Sequence, residues 1–317
     1  MSGPTLSVVM PNYNHSRHLA EAIEGVLHQT RLPDEFLILD DASTDNSLEI
    51  IESYAEKHPV IRVLKNSQNT GVVEAHRRLF EAAQGDYVCT APADDAHLPR
   101  YCELGMQLAK KYPHAGIIFG KIRVIDEHNA ILAELGVRRW PQSRYATPQE
   151  FLTEYLDVEA PSHSLCGATI YRRQAFREVD WYRSELGHWS DTFAARAIGL
   201  AYGVCYISEP VYVWRKLATG FSAESRVDAR HTLDTVARAA ALMRSPEFRD
   251  RFPEEHVRRW ERRYRRLVVW NSWQGEGTAF QPTTARFWWN SFKRLPKLPR
   301  AIRLGVFHSP RKGDSGA

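Results

Sequence analysis

Cysteine is scarce in this chain. Cys89, Cys102, Cys166 and Cys205 are the only four among 317 residues, and no two of them form a CxxC pair. That spacing argues against a zinc site and against a disulfide scaffold, and for reduced thiols of a cytoplasmic protein. Long apolar runs are missing as well. Nothing approaches the ~18 consecutive apolar residues of a spanning helix. The first residues lack a basic stretch leading into a long apolar core, so no secretory signal is expected. Glycine is absent where a nucleotide cradle would need it: Pro11-Asn-Tyr-Asn14 follows the first apolar run. A GxGxxG fingerprint is therefore excluded there, and the chain has no P-loop. Any nucleotide must be held by other chemistry.

Charge is nearly balanced overall, at +4, but unevenly placed. Up to Ser225 there are 22 Lys/Arg against 29 Asp/Glu; from Arg226 onward there are 20 against 9, together with five of the nine tryptophans. This break predicts an α/β domain over residues 1–225, a basic, aromatic-rich helical region over 226–308, and a frayed tail over 309–317.

Within the first part, apolar runs and helical periodicities alternate. Leu6–Met10, Asp34–Asp40, Val60–Leu64 and Tyr87–Thr90 read as buried strands. Between them, residues 16–29, 43–56 and 72–83 read as amphipathic helices; in the first, Leu19, Ala22, Ile23, Val26 and Leu27 share one face. Such βαβ spacing predicts a mostly parallel sheet flanked by helices. Farther on, Ala115–Phe119 and Ile122–Ile125 read as two strands and Arg138–Tyr145 as a loop. Residues 191–200 read as a helix, and Tyr202–Ile207 and Glu209–Arg215 as closing strands. Two strands end in acid pairs, Asp40-Asp41 and Asp94-Asp95. In open α/β sheets ligands gather at the carboxyl ends of strands, and carboxylates there suit a divalent cation that in turn holds a diphosphate. Asp94 and Asp95 fit an alternative equally well, as caps of a helix starting near His97.

Five segments, in this order and spacing, make the chain recognisable: Val8-Val-Met-Pro-Asn-Tyr-Asn14, His28-Gln-Thr30, Leu39-Asp-Asp-Ala-Ser-Thr-Asp45, Asn69-Thr-Gly-Val72, and Gly85-Asp-Tyr87 leading to Ala93-Asp94-Asp95. Over residues 5–225 it resembles the family 2 glycosyltransferases, which have the GT-A fold. The resemblance implies inverting transfer of a sugar from a nucleotide-sugar, usually UDP-linked, with Mn²⁺ or Mg²⁺. By position it implies that Pro11, Tyr13 and Asn14 line the nucleoside pocket and that Asp40 or Asp41 accepts a hydrogen bond from the base. Asn69, Gly71, His76, Ala93 and Asp95 join the donor site, and Asp94 is the metal ligand. The first acid of the family's Asp-x-Asp motif is Pro92 here, and the family's Ala-Arg-Asn reads Ala75-His76-Arg77.

The resemblance also assigns Asp191, in His188-Trp-Ser-Asp191, as general base, with Ser190 in place of a first acid. A plain helix cap is the other reading of Asp191. Gly167 would let substrate approach the backbone. The family's closing Tyr-Arg-x-His reads Trp214-Arg-Lys-Leu217, which removes a histidine metal ligand and leaves Arg215 or Lys216 to contact the diphosphate.

Beyond residue 225, helices are expected over 228–243 and 254–274. In the second, Val257, Trp260 and Tyr264 share one face and arginines crowd the others. With Phe287-Trp-Trp-Asn-Ser-Phe292, Lys293 and Arg294, this composition fits a segment lying on an anionic membrane surface, or a helical appendage packed on the catalytic domain. No nucleic-acid motif is present. The expected partners are a nucleotide-sugar and a glycan or lipid-linked glycan, in surface polysaccharide or glycolipid assembly. The expected location is cytoplasmic, on the inner face of the membrane. The competing class is a non-catalytic relative that binds nucleotide or glycan as a scaffold.

Overall fold

The structure, a computed structural model, describes residues 3–158, 165, 167–216 and 229–273. Leu217, the Phe287–Phe292 stretch and the 309–317 tail lie outside the described residues.

The chain runs β1 (Leu6–Asn12), α1 (Ser16–Leu27), β2 (Glu35–Asp40), α2 (Ser47–Lys57), β3 (Ile61–Lys65), α3 (Val72–Ala82), β4 (Tyr87–Thr90), β5 (Ala96–His97) and α4 (Tyr101–Lys111). The strands β6 (Ile117–Ile125), β7 (Ile131–Leu135) and β8 (Arg144–Ala146) follow. A single turn, α5 (Pro148–Glu150), then runs into a π-helical segment, Phe151–Leu156. Next come β9 (Thr169–Arg172), α6 (Arg173–Arg177), a 3₁₀ segment Ser184–Trp189, α7 (Ser190–Tyr202), β10 (Val204–Arg215), α8 (Ala229–Met243) and α9 (Glu254–Trp273).

All ten strands form one sheet, ordered β3-β2-β1-β4-β9-β6-β10-β5, with β7 on β6 and β8 on β10. The expected parallel arrangement holds for β3, β2, β1 and β4. It ends at β9, which runs antiparallel to both β4 and β6, so the sheet as a whole is mixed. The two strands expected near residues 117–125 are one, because Gly120 does not break the ladder: a Cβ there would lie 2.4 Å from Val211 Cγ2. Likewise the closing strands form one long β10, bent by register shifts around Pro210. Part of the expected 138–145 loop is ordered too. Trp140 is buried and donates Nε1–H to Glu154 at 2.8 Å, and Arg144–Ala146 pairs with β10.

The central strands are apolar throughout because both faces are covered. Side chains alternate: Leu6, Val8 and Met10 face the α1, α2 and α4 side, while Val9 faces the other. Phe36 and Ile38 divide from Leu37 and Leu39 in the same way. On that other side α3 and α7 share one core with Val236, Ala239, Met243, Phe252, Val257 and Trp260. The composition break near 225 therefore has no counterpart in packing, since α8 and α9 complete a core begun by the first strands. Three of the six α9 arginines are paired with acids: Arg258 with Glu254, Arg259 with Glu255 and Asp157, Arg265 with Glu261. No helix among the described residues is long and apolar enough to cross a membrane.

Candidate functional site

The parallel strands bring the loops after β1, β2, β3 and β4 to one edge. Asp40 and Asp41, at the end of β2, are both buried and both engaged. Asp40 accepts from Asn12 Nδ2 at 3.1 Å and from the Ser43 amide at 3.0 Å. Asp41 gathers the next loop: it accepts from Asn66 Nδ2, from the Thr70 amide and hydroxyl, and from the Gly71 amide. Gly71 needs its glycine, since its φ is +85°, and Asn69 Oδ1 accepts from its amide at 2.8 Å. Asn14, itself at φ +58°, accepts from the Thr44 and Asp45 amides and so stitches the β1 loop to the β2 loop. Asp45 accepts from the Ser16 and Ser47 amides at the starts of α1 and α2. Partial burial raises its pKa, but the hydrogen bonds from Ser47 and Ser16 outweigh this and hold it at about 2. Pro11 is half-buried in register with Leu39, and Tyr13 stands 40% exposed at the rim. These acids hold the loops at this edge of the sheet in shape. Ser43, Asn66 and Thr70, which sequence reasoning missed, are their partners; the Ser/Thr/Asn-rich turns were the available signal.

The second acid pair divides its work. Asp95 Oδ2 accepts from the Tyr212 hydroxyl at 2.6 Å and Oδ1 from the Arg215 amide at 2.8 Å. Burial, and behind it the charge of Asp94, pushes its carboxyl up to about 8, so Asp95 holds a proton near neutral pH. The Asp94 carboxylate is half-buried and forms no hydrogen bond or ion pair among the described residues. Helix capping does not explain the pair: His97 lies in β5, and α4 begins only after Arg100. Ala93, buried at 2% exposure, packs beneath the loop. Gly167 serves Tyr212 and not a substrate, because a Cβ there would lie 2.1 Å from the Tyr212 hydroxyl oxygen.

Among the described residues no cluster of three or more His, Cys, Asp or Glu could hold a metal ion. A lone free carboxylate still fits Mg²⁺ or Mn²⁺ of the kind that takes one or two protein carboxylates and completes its shell with substrate phosphates and water.

Arg215 does not reach the cleft. Its side chain is 3% exposed, and its guanidinium donates to both Glu21 carboxylate oxygens at 2.9 Å, to Asn129 Oδ1, and to the Asp94 carbonyl at 3.3 Å. Lys216, by contrast, is exposed, with its amide on the Ile125 carbonyl.

Asp191 lies in the first turn of α7, half-buried, and accepts from the Thr192 amide. The residue preceding α7 is Trp189, so Asp191 is not its cap. Ser190 Oγ lies 2.6 Å from the carbonyls of both Arg183 and Gly187 and pins the kinked 3₁₀ segment. Trp189 meets Trp260 and Tyr264 edge-on, at 5.0 and 4.4 Å between ring centroids. His76 packs between Phe80 and Tyr182 with Nδ1 on the Val72 carbonyl. Burial lowers its pKa to about 4, so it enters the wall as a neutral ring and not as the cationic contact that its position promised.

His97, fully buried against Tyr101 and Tyr212, is likewise lowered by burial to about 4. The unfolded chain takes this proton near 6.5 and the folded chain does not, so the contribution is intact above 6.5 and is lost as pH falls toward 4. Asp95 acts in the opposite sense, favouring the folded state less as pH rises toward 8. The expected result is that His97→Gln flattens the fall in the urea midpoint between pH 6.5 and 4.5. An unchanged slope would place the acid sensitivity elsewhere.

Comparison with known proteins bears on this geometry. The sequence model described as Glycosyl transferase family 2 matches residues 7–180. A putative glycosyltransferase of Bacillus subtilis, EpsE, is 31% identical over 58% of this chain and 62% of its own length. The glycosyltransferase GlyG of Streptococcus pneumoniae is 28% identical over 54% of this chain and 53% of its own. The chain thus spans little more than half the length of these relatives. Among solved structures, S. aureus TarS 1–349 in complex with UDP-GlcNAc superimposes with a TM-score of 0.70 at 17% identity, over 90% of this chain and 79% of that one. The mannosyltransferase PcManGT of Pyrobaculum calidifontis, in complex with GDP-Man and Mn²⁺, gives 0.54 at 17% identity, over 92% and 81%.

Proposed function

Because the chain belongs to glycosyl transferase family 2, we propose that it moves a sugar from a nucleoside-diphosphate sugar, of the UDP class, onto an acceptor hydroxyl with inversion. The observation that carries this is the free carboxylate of Asp94, held on a fixed loop beside a pocket whose own acids, Asp40, Asp41 and Asp95, are already engaged. Tyr13 offers an exposed ring on which a base can stack, and the ordered loops at Asn14 and Gly71 shape the space around it. Asp94 would hold a divalent cation, which supplies charge neutralisation on the departing diphosphate. Asp191 takes the proton of the acceptor hydroxyl as it attacks the face of the anomeric carbon opposite the leaving group. The related structures carry UDP-GlcNAc in one case and GDP-Man with Mn²⁺ in another; they support a nucleotide-sugar donor and leave its base to experiment.

The acceptor belongs to a glycan or a lipid-linked glycan in this reading. In this reading the basic, aromatic-rich residues 274–308 carry the contact with an anionic membrane surface, while Arg258, Arg259 and Arg265 of α9 are paired with Glu254, Glu255, Glu261 and Asp157.

A thermal-shift panel of UDP-, GDP-, dTDP- and CMP-sugars, each with Mn²⁺ and with EDTA, tests the proposal. Ligand that binds only the folded state raises its midpoint by mass action. The expected result is a metal-dependent rise with UDP-sugars. No rise with any nucleotide would favour the scaffold reading.

A further inference from the structure

Arg215 was expected at the diphosphate, and the structure puts it behind the cleft instead. We propose that Arg215 is a positioning residue: it clamps the Asp94 loop between α1, β10 and the β6–β7 turn so that the Asp94 carboxylate is presented to the cation in one orientation. This rests on the donor-site reading given above.

Three bonds from the end of β10 fix the loop. The Tyr212 hydroxyl and the Arg215 amide occupy the two oxygens of Asp95, and Arg215 Nε reaches the Asp94 carbonyl. The ladder between β5 and β10 extends this grip, with His97 opposite Tyr212 and Ala96 opposite Val213. The outer end of Arg215 is then anchored by Nη2, which donates to both carboxylate oxygens of Glu21, and by Nη1, which donates to Asn129, a residue at φ +66° in the β6–β7 turn. A guanidinium suits this role and an ammonium does not. Its three nitrogens are held in one plane and each serves a different partner, Nε the Asp94 carbonyl, Nη1 Asn129 Oδ1 and Nη2 Glu21. Of the two acids on this loop, Asp95 is thereby occupied, and the Asp94 carboxylate is the one that no hydrogen bond or ion pair engages among the described residues. Groups that orient a metal ligand without touching the metal commonly shift its affinity by ~10–100-fold.

The test is Mn²⁺ binding, followed by electron paramagnetic resonance, to the full chain in the presence of UDP or GDP. Arg215→Lys keeps the charge and removes the fork. It is expected to weaken Mn²⁺ binding by ~10-fold or more, with nucleotide binding in EDTA unchanged. Glu21→Gln, which keeps an oxygen acceptor for the buried Arg215 guanidinium, is expected to weaken Mn²⁺ in the same direction by less. Asp94→Asn marks complete loss. Wild-type binding of Mn²⁺ with either nucleotide, joined to unaltered affinity in both clamp variants, would overturn the clamp and leave the donor site standing. Absence of Mn²⁺ binding by the wild type would overturn the donor-site reading and the clamp with it.

Discussion

Asp191→Asn is expected to lower transfer by ~10²–10⁴-fold, the usual worth of a positioned general base, while nucleotide affinity and melting temperature stay near wild type. Asparagine keeps the shape of the side chain and an oxygen for the Thr192 amide, so the first turn of α7 retains this backbone contact. What it loses is the capacity to take a proton. The adjacent Ser190 cannot substitute, because its hydroxyl already serves the carbonyls of Arg183 and Gly187. Single-turnover transfer assays beside nucleotide titration separate the two effects. Unaltered turnover would remove Asp191 from the chemistry, and a parallel loss of nucleotide affinity would recast it as a structural residue.

Trp260→Ala should have the largest effect on stability, on the order of 3–5 kcal/mol, as for other large aromatic-to-alanine changes in cores. Trp260 is 5% exposed and lies edge-on to Trp189, two residues before Asp191. Tyr264 packs against both rings. Truncation before α9 should be at least as severe, because it uncovers Trp189 and removes Val257 and Trp260 from the core that Phe193 and Phe252 share. Urea unfolding of Trp260→Ala, with the exposed Arg258→Gln as a control expected within ~0.5 kcal/mol of wild type, measures this. If the truncated chain melted and turned over like the full one, α9 would be a dispensable appendage.

The positions of strands and helices in the first half were legible because their signals are local. Buried strands show as short apolar runs, amphipathic helices as a 3.6-residue period, and the turns after them as Asn, Asp, Ser and Thr. The two acid pairs, Asn14, Asn69 and Gly71 were legible for the same reason: each sits in a turn whose chemistry is written within a few residues. The family membership followed from the order of those turns.

What the sequence could not decide was which of the four acids remains free. That depends on partners far along the chain. Asp95 is occupied by Tyr212 and Arg215, 117 and 120 residues away, and Arg215 is taken out of the cleft by Glu21, 194 residues away. Periodicity could not show that β6 and β10 are single strands, since a glycine and a proline inside them look like stops until Val211 and the neighbouring ladders are in place. Nor could charge counting show that the basic C-terminal helix is core. Its arginines crowd all faces but one, and the burial of Val257 and Trp260 on that face is decided by the core they share with Phe193 of α7. Local sequence thus set the elements and the residues at their ends. Only the tertiary structure set which of those residues are spent on holding one another and which are left for a ligand, because a buried polar group is committed by whatever partner the fold brings to it.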